Sequence, residues 1–395
     1  MIQRDYLIVG AGIGGATVCE ALREYDSKGS VTLVGYESAL PYHRSHLFST
    51  LLTKSPVDSR ALQKLYRLAP EWYEKNQVEV RLNTLVTQIN LDRRLAVLST
   101  GQVIEFRKCC LAMGSRPRRP QVAGANLGKI LYLRSLRDVQ ALREMIAGEK
   151  NIYIIGGGLI AAEAASALHA LGLNVQILCS HPTLWHQTLD PETALWLTEV
   201  FAQRGVPLRN ETINGFEGKT ILRNIQTKSG SRLAADLALI AESVELNLGL
   251  VANTPLGSPN GTPVNEFLET DEKGIYAVGD IALYPDAIFG GVRRSEHCDT
   301  TLEQARIAGA NITGKKRQRF RAMPCYSSTV FDLRFDFVGD FSQIPVHYEI
   351  EGDRSKNTFQ ARYYQGPKLM GMLLCNQPPE AVAAAKEAIA QAHKH

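Results

Sequence analysis

The chain has 395 residues, 45% of them hydrophobic and 21% charged, and 44 Lys and Arg against 40 Asp and Glu leave a formal charge of +4. That length suits two or three domains with full cores, and the composition excludes wholesale disorder and the broad basic field that nucleic acid demands. No apolar run reaches the roughly 18 residues of a bilayer-spanning helix, and Met1–Tyr6 carries no secretory pattern. Seven scattered cysteines without a CxxC make neither a disulfide framework nor a zinc site, so no metal and a reduced, cytoplasmic setting are expected.

In chain order, Asp5–Gly10 reads as a short buried strand that runs into Gly10-Ala11-Gly12-Ile13-Gly14-Gly15, and Ala16–Glu24 has the apolar spacing of a helix. A strand before and a helix after are what give a GxGxxG its meaning. Gly10 permits the tight turn, Gly12 lets a pyrophosphate reach the backbone, and Gly15 lets the helix pack on the strand, with the phosphates at the helix's positive end. Val31–Val34 is the next strand, and Glu37, 22 residues beyond Gly15, can accept hydrogen bonds from an adenosine ribose. Cys109 and Cys110 sit side by side in a strand, so their thiols point to opposite faces; with Cys19 in the first helix, they read as packing residues.

The pattern recurs 146 residues after Gly10. A strand over Asn151–Ile155 leads into Gly156-Gly157-Gly158-Leu159-Ile160-Ala161, an Ala-rich helix over Ala162–Leu171 and a strand over Val175–Leu178. Ala161 in the third glycine position is tolerated by the fingerprint. Two such turns imply two dinucleotides, most economically a flavin and a nicotinamide cofactor. Further on, Lys315–Arg321 holds five basic residues in seven, read either as a solvated linker or as a docking patch for an acidic protein. Alternation over Tyr326–Asp340, strand-like Val346–Ile350 and Thr358–Tyr364, and an Ala-rich helix from Glu380 suggest an antiparallel sheet with a helix.

Residues 270–281 read Thr-Asp-Glu-Lys-Gly-Ile-Tyr-Ala-Val-Gly-Asp-Ile. On this segment the chain resembles the FAD-dependent pyridine nucleotide oxidoreductases of the glutathione reductase type. On Leu40-Pro41-Tyr42-His43-Arg44, Met113–Arg118, Tyr132–Asp138 and Arg293–His297 it is most similar to their branch of ferredoxin and rubredoxin reductases and apoptosis-inducing factor. The likeness covers nearly the whole chain. It implies an α/β fold with two Rossmann-like dinucleotide-binding domains, for FAD and NAD(P), and a C-terminal α+β domain with an antiparallel sheet. The expected boundaries are 1–117 and 247–318 for a discontinuous FAD domain, 118–246 for the NAD(P) domain and 319–395 for an interface or dimerisation-like domain, in a monomer or homodimer.

The resemblance also implies roles. Asp280, behind Gly279, would hydrogen-bond the ribityl–phosphate region of the flavin, and Arg44 would contact the flavin region. Ala112, Gly114 and Arg116 would line the flavin pocket, and Val86 would set backbone groups against the adenine. Glu296 and His297 would lie beside the isoalloxazine and, with Glu163, form the catalytic set. Gly156, Gly158, Leu159, Ile160, Glu163, Ser180 and Ser243 would hold NADH or NADPH. Hydride transfer between the two rings requires no protein nucleophile.

Disulfide reductases of this fold place a cysteine pair beside the flavin or in the nicotinamide domain, but residues 38–56 and 111–178 contain no Cys, so electrons should leave for an external acceptor. Four departures cluster on the nicotinamide side. Cys179, Ser180 and His181 stand where NADH-using relatives carry an acid, with no carboxylate before Asp190 and no Arg in its place, so neither the grip on a ribose diol nor a clear 2′-phosphate site for NADPH is expected; His181 could contact a phosphate but reads rather as a surface-loop residue. Ser49 stands where relatives have a Lys paired with the acid that survives as Glu163; Glu163 then needs another partner, Lys54 being one candidate, or its proton affinity rises through burial. Ser243-Val244-Glu245-Leu246-Asn247 replaces a Gly-x-x-Pro-Asn loop. Ser327 replaces an aromatic near the flavin, opening one face unless Tyr326 fills it. The leading expectation is an FAD oxidoreductase passing electrons from NAD(P)H to a small acidic redox protein, a ferredoxin or rubredoxin. The alternative is an FAD-binding interaction or redox-sensing protein with weak or lost NAD(P)H turnover.

Overall fold

The computed structural model describes residues 1–47, 62–146, 148, 150–343 and 347–394, which gather into two compact units. The first comprises the described residues of 1–43, 62–116 and 245–325, and the second those of 44–47, 117–244 and 326–394.

In the first unit the opening strand runs Ile2–Val9, and its helix, Ile13–Tyr25, starts earlier than the apolar spacing indicated because Gly14 and Gly15 lie inside it. The sheet has seven strands, ordered Val78–Arg81, Val31–Val34, Ile2–Val9, Val103–Leu111, Leu95–Leu98 and Val86–Asn90, with Ile275–Ala277 also paired to Val103–Leu111. The pairings are parallel except those made by Leu95–Leu98. Covered faces explain why Leu7, Ile8 and Val9 form an unbroken apolar run. Cys110 packs with Ile8 and Ala16, and Cys109 with Leu7 and Phe106, so the adjacent thiols do serve opposite faces of one strand. The helix Cys298–Ile312 crosses Ile13–Tyr25 closely at Gly309, where a Cβ would stand 2.6 Å from the Val18 carbonyl oxygen and 2.8 Å from the Ala21 Cβ.

In the second unit a five-stranded parallel sheet runs Leu208–Asn210, Val175–Cys179, Ile152–Ile155, Leu237–Ile240 and Ile130–Tyr132. The helix Leu159–Ala170 follows the second glycine turn, and Leu136–Met145 opens with a capping box between Ser135 and Asp138. A second five-stranded sheet, ordered Cys325–Val330, Leu333–Gly339, Lys368–Cys375, Thr358–Gln365 and His347–Asp353, carries the helix Pro379–Ala392. The alternating run 326–340 divides at Phe331, whose φ of +54° makes the reversal, and Lys368–Cys375 is a further, central strand that sequence pattern did not reveal. The Tyr363 hydroxyl donates to the buried carboxylate of Asp190 at 2.9 Å, and Asp190 caps the helix Pro191–Gln203. This is the expected α/β class. Among the described residues no helix is long and apolar enough to cross a membrane.

Candidate functional site

The first glycine turn is shaped by what a side chain would strike. Gly10 has φ of +114°, and a Cβ there would run into the Ala112 carbonyl; a Cβ on Gly15 would run into the carbonyl of Gly10. Around Gly12, by contrast, nothing lies within 4 Å of the Cβ position. Gly12 also begins the helix without a side-chain cap, so the first-turn N–H groups remain for a ligand. An open cradle over uncapped amides suits a pyrophosphate. Glu37, half-buried after the second strand, accepts from the Tyr42 hydroxyl at 2.6 Å. Val86 is buried at the start of its strand.

Asp280 centres the other half of this unit. It is buried behind Gly279, whose φ is +73°, and its carboxylate accepts from the Ser115 hydroxyl. The Gly279 N–H donates to Gln304 Oε1 at 2.8 Å, while Nε2 of the fully buried Gln304 has no partner. Arg294 donates to the Asp280 carbonyl at 3.3 Å and pairs with Glu296 at 2.7 Å. His297 stands at the N-terminal boundary of the helix Cys298–Ile312 without a side-chain capping bond, and burial pushes its pKa down to about 4 against the opposing pull of Asp280. Thr301 on that helix would touch a Cβ at either Gly14 or Gly279. Gly10, Gly14, Ala112, Gly279, Asp280 and His297 are thus one neighbourhood, joined by Ser115 and Gln304, which pattern reading had passed over. Gly114 takes φ of +62° at the turn before Ser115. Arg116 faces outward, pairing with Glu245 at 3.0 Å and donating to Asn247 at 3.2 Å. Ser115 is its inward neighbour, as strand alternation requires.

In the second unit the geometry repeats. Gly156 has φ of +129° and a Cβ there would strike the Ala241 carbonyl, whereas Gly158 again has nothing within 4 Å and begins its helix without a side-chain cap. Leu159 and Ile160 form the first turn, Ile160 exposed, and Ala161 is fully buried. Glu163 is half-buried and accepts from the Ser328 hydroxyl at 2.6 Å. Burial raises its carboxyl pKa, with Ser328 and the Thr329 N–H acting the other way. The acid deprived of its expected Lys has therefore both gained a partner and become harder to ionise; Ser49 and Lys54 lie outside the described residues.

Beyond the strand Val175–Cys179, Ser180 is exposed and the ring of His181 stacks on that of His186. The Ser243 carbonyl accepts from the Arg118 N–H at 2.9 Å. Glu242, beside the Ala241 carbonyl that abuts Gly156, has its pKa raised mainly by burial; it is a charge-bearing neighbour of the turn that the motif alone did not flag. Arg44 groups with this unit and donates to the Arg134 carbonyl at 2.7 Å. Ser327 is exposed, and the Tyr326 ring lies flat on Phe337, with centroids 4.6 Å apart.

Residues 4–310 match the protein family described as pyridine nucleotide-disulphide oxidoreductase. The chain is 29% identical over 383 residues to putidaredoxin reductase of Pseudomonas putida, covering 95% of this chain and 89% of that one. It is 30% identical over 311 residues to rubredoxin-NAD(+) reductase of the same species, covering 78% and 80%. Among solved structures, the covalent putidaredoxin reductase–putidaredoxin complex superposes with a TM-score of 0.91 at 27% identity, over 99% of this chain and 94% of that one.

Proposed function

The chain belongs to the pyridine nucleotide-disulphide oxidoreductase family, and from that premise we propose that it is an FAD-dependent oxidoreductase passing electrons from NADH or NADPH, through FAD, to a small redox protein such as a ferredoxin or rubredoxin. The observation that carries this is the duplicated cradle: two glycine turns, each with its central glycine unobstructed and its helix amides uncapped by side chains. Relatives named for putidaredoxin and rubredoxin supply the acceptor class.

In this reading 1–117 and 247–318 hold FAD, 118–246 hold the nicotinamide dinucleotide, and 319–395 form the C-terminal interface domain. Gly10, Gly12, Gly14 and Gly15 bring backbone N–H groups to the FAD pyrophosphate, and Glu37 accepts from its ribose. Val86, Ala112, Gly114 and Gly279 admit the cofactor closely, with Arg44 and Arg116 as flanking cations. Asp280, fixed by Ser115, accepts from the ribityl chain. Bound FAD supplies the redox chemistry, accepting two electrons together and releasing them one at a time. His297 presents a neutral imidazole at pH 7, and Glu296, neutralised by Arg294, adds little net charge. Gly156, Gly158, Leu159, Ile160, Ser180 and Ser243 contact the second dinucleotide, with Glu163 held by Ser328. All seven cysteines are unbridged, and five are buried, so no dithiol relay competes with the external acceptor.

Anaerobic titration of the purified yellow protein with NADH and NADPH tests this. Bleaching of the oxidised flavin band, followed by reduction of an added ferredoxin or rubredoxin, is expected. Persistence of the band with both donors would overturn the reductase reading and favour the redox-sensing one, which the non-acidic Cys179-Ser180-His181 corner motivates.

A further inference from the structure

The loop after the strand Val175–Cys179 carries two imidazoles that the proposed function leaves unused. The Trp185 N–H donates to the Gly157 carbonyl at 2.7 Å, and Trp185 takes φ of +53°, which folds residues 180–186 back onto the second glycine turn. There the ring of His181 lies on that of His186, centroids 3.6 Å apart and planes 16° from parallel. His181 is exposed. Both ring nitrogens of His186 are closed to solvent, and neither makes a well-formed hydrogen bond. Burial and the facing His181 hold His186 below its ordinary pKa, against the weaker, opposite effect of the Thr183 carbonyl.

In a dinucleotide βαβ unit the end of the second strand meets the adenosine ribose, where a carboxylate grips a free diol and a cation accommodates a 2′-phosphate. Here the loop itself supplies no acid before Asp190; the acids bordering Cys179 come from other strand ends, Glu242, whose charge acts on the Cys179 thiol, and Glu211, whose N–H donates to the Cys179 carbonyl at 2.9 Å and whose carboxylate is engaged by Ser229 and Ser231. Cys179 is a buried thiol that receives the His181 N–H at 3.4 Å, and Asp190, the next carboxylate in sequence, is buried and committed to Thr193 and Tyr363. What the corner offers instead is an exposed hydroxyl at Ser180, an exposed imidazole at His181, and behind it a second imidazole with unmet hydrogen-bonding capacity. A phosphate can accept from the Ser180 hydroxyl and from a ring N–H of His181, while His186, its nitrogens closed to solvent, backs the His181 ring.

We propose that Ser180 and the stacked His181–His186 pair form the receptor for the adenosine 2′-phosphate of NADPH, and that the chain selects NADPH over NADH by this contact. The inference rests on reading the second unit as the nicotinamide-dinucleotide site. Calorimetric titration of the FAD-loaded full chain with 2′,5′-ADP and with 5′-AMP tests it directly. The 2′-phosphorylated ligand should bind about tenfold more tightly. His181→Ala, on an exposed side chain, should bring the two ligands to within about twofold, and His181→Glu should reverse the order. Flavin-reduction kcat/KM for NADPH against NADH should follow the same ranking. Equal binding of both ligands by the wild-type chain, or a preference that survives His181→Ala, would overturn the histidine assignment while leaving the nicotinamide reading intact. Failure of either ligand to bind, with neither donor reducing the flavin, would overturn both.

Discussion

At His297 burial outweighs the nearby carboxylate of Asp280 and keeps the imidazole neutral down to about pH 4, against an ordinary value of 6.5. Between those values the unfolded chain binds a proton that the native state refuses. Stability is therefore full above about pH 6.5 and declines as pH falls toward 4, by up to roughly 3 kcal/mol. His297→Asn should flatten that decline, read as urea midpoints across the window. Glu163 has the opposite sign: its raised pKa means the native state prefers the proton, so stability is lost as pH climbs from 4.5 through the raised value. Glu163→Gln should be neutral or stabilising at pH 8, by about 1 kcal/mol in thermal melts. Ser328→Ala removes a donor to the carboxylate and should move the corresponding limb of the flavin-reduction pH profile to higher pH. Gly10 and Gly12 separate fold from binding. Gly10→Ala, at positive φ and against the Ala112 carbonyl, should destabilise the protein by about 2 kcal/mol or more. Gly12→Ala, in open space, should leave apoprotein melting unchanged while lowering FAD content.

The helix Cys298–Ile312 links His297 at its start with the packing contact at Gly309 near its end. Gly309→Val would drive this helix off Ile13–Tyr25, and loss of bound FAD on gel filtration is the expected outcome. The basic run Lys315–Arg321 follows the same helix. Fifteen helical residues span about 22 Å, which sets the run well away from His297. Arg317 and Arg319 lie over Phe267, and Lys315 reaches the Tyr25 carbonyl. These contacts favour the linker reading, so Lys316→Glu should leave acceptor reduction unchanged within about twofold at physiological salt. Both glycine turns were legible because strand, turn and helix are contiguous in sequence, and the Asp280 segment because its motif is long. The strand Lys368–Cys375 was not: a central strand buried on both faces shows no alternation. The pairs Ser115–Asp280 and Ser328–Glu163 are each separated by 165 residues, and no local pattern announces a partner at that distance.

Taken whole, the molecule buries five of its seven cysteines; the two others are Cys325 and Cys298, the latter next to His297 at the start of its helix. In a Cys298→Ala variant, which removes the half-buried thiol beside His297, alkylation by iodoacetamide should leave flavin reduction undiminished. The first unit is assembled from three stretches of chain, the last supplying both the Ile275–Ala277 strand and the helix beginning at Cys298. On a translating ribosome that helix emerges nearly 200 residues after the second stretch ends, on the order of 10–40 s at ordinary elongation rates. The segment synthesised in between carries a parallel sheet of its own and can close first, while the earlier stretch waits half-built. Coenzyme capture is consequently a late event in biogenesis, and a cell starved of the vitamin from which it is made would accumulate chains with an open, protease-sensitive amino-terminal half.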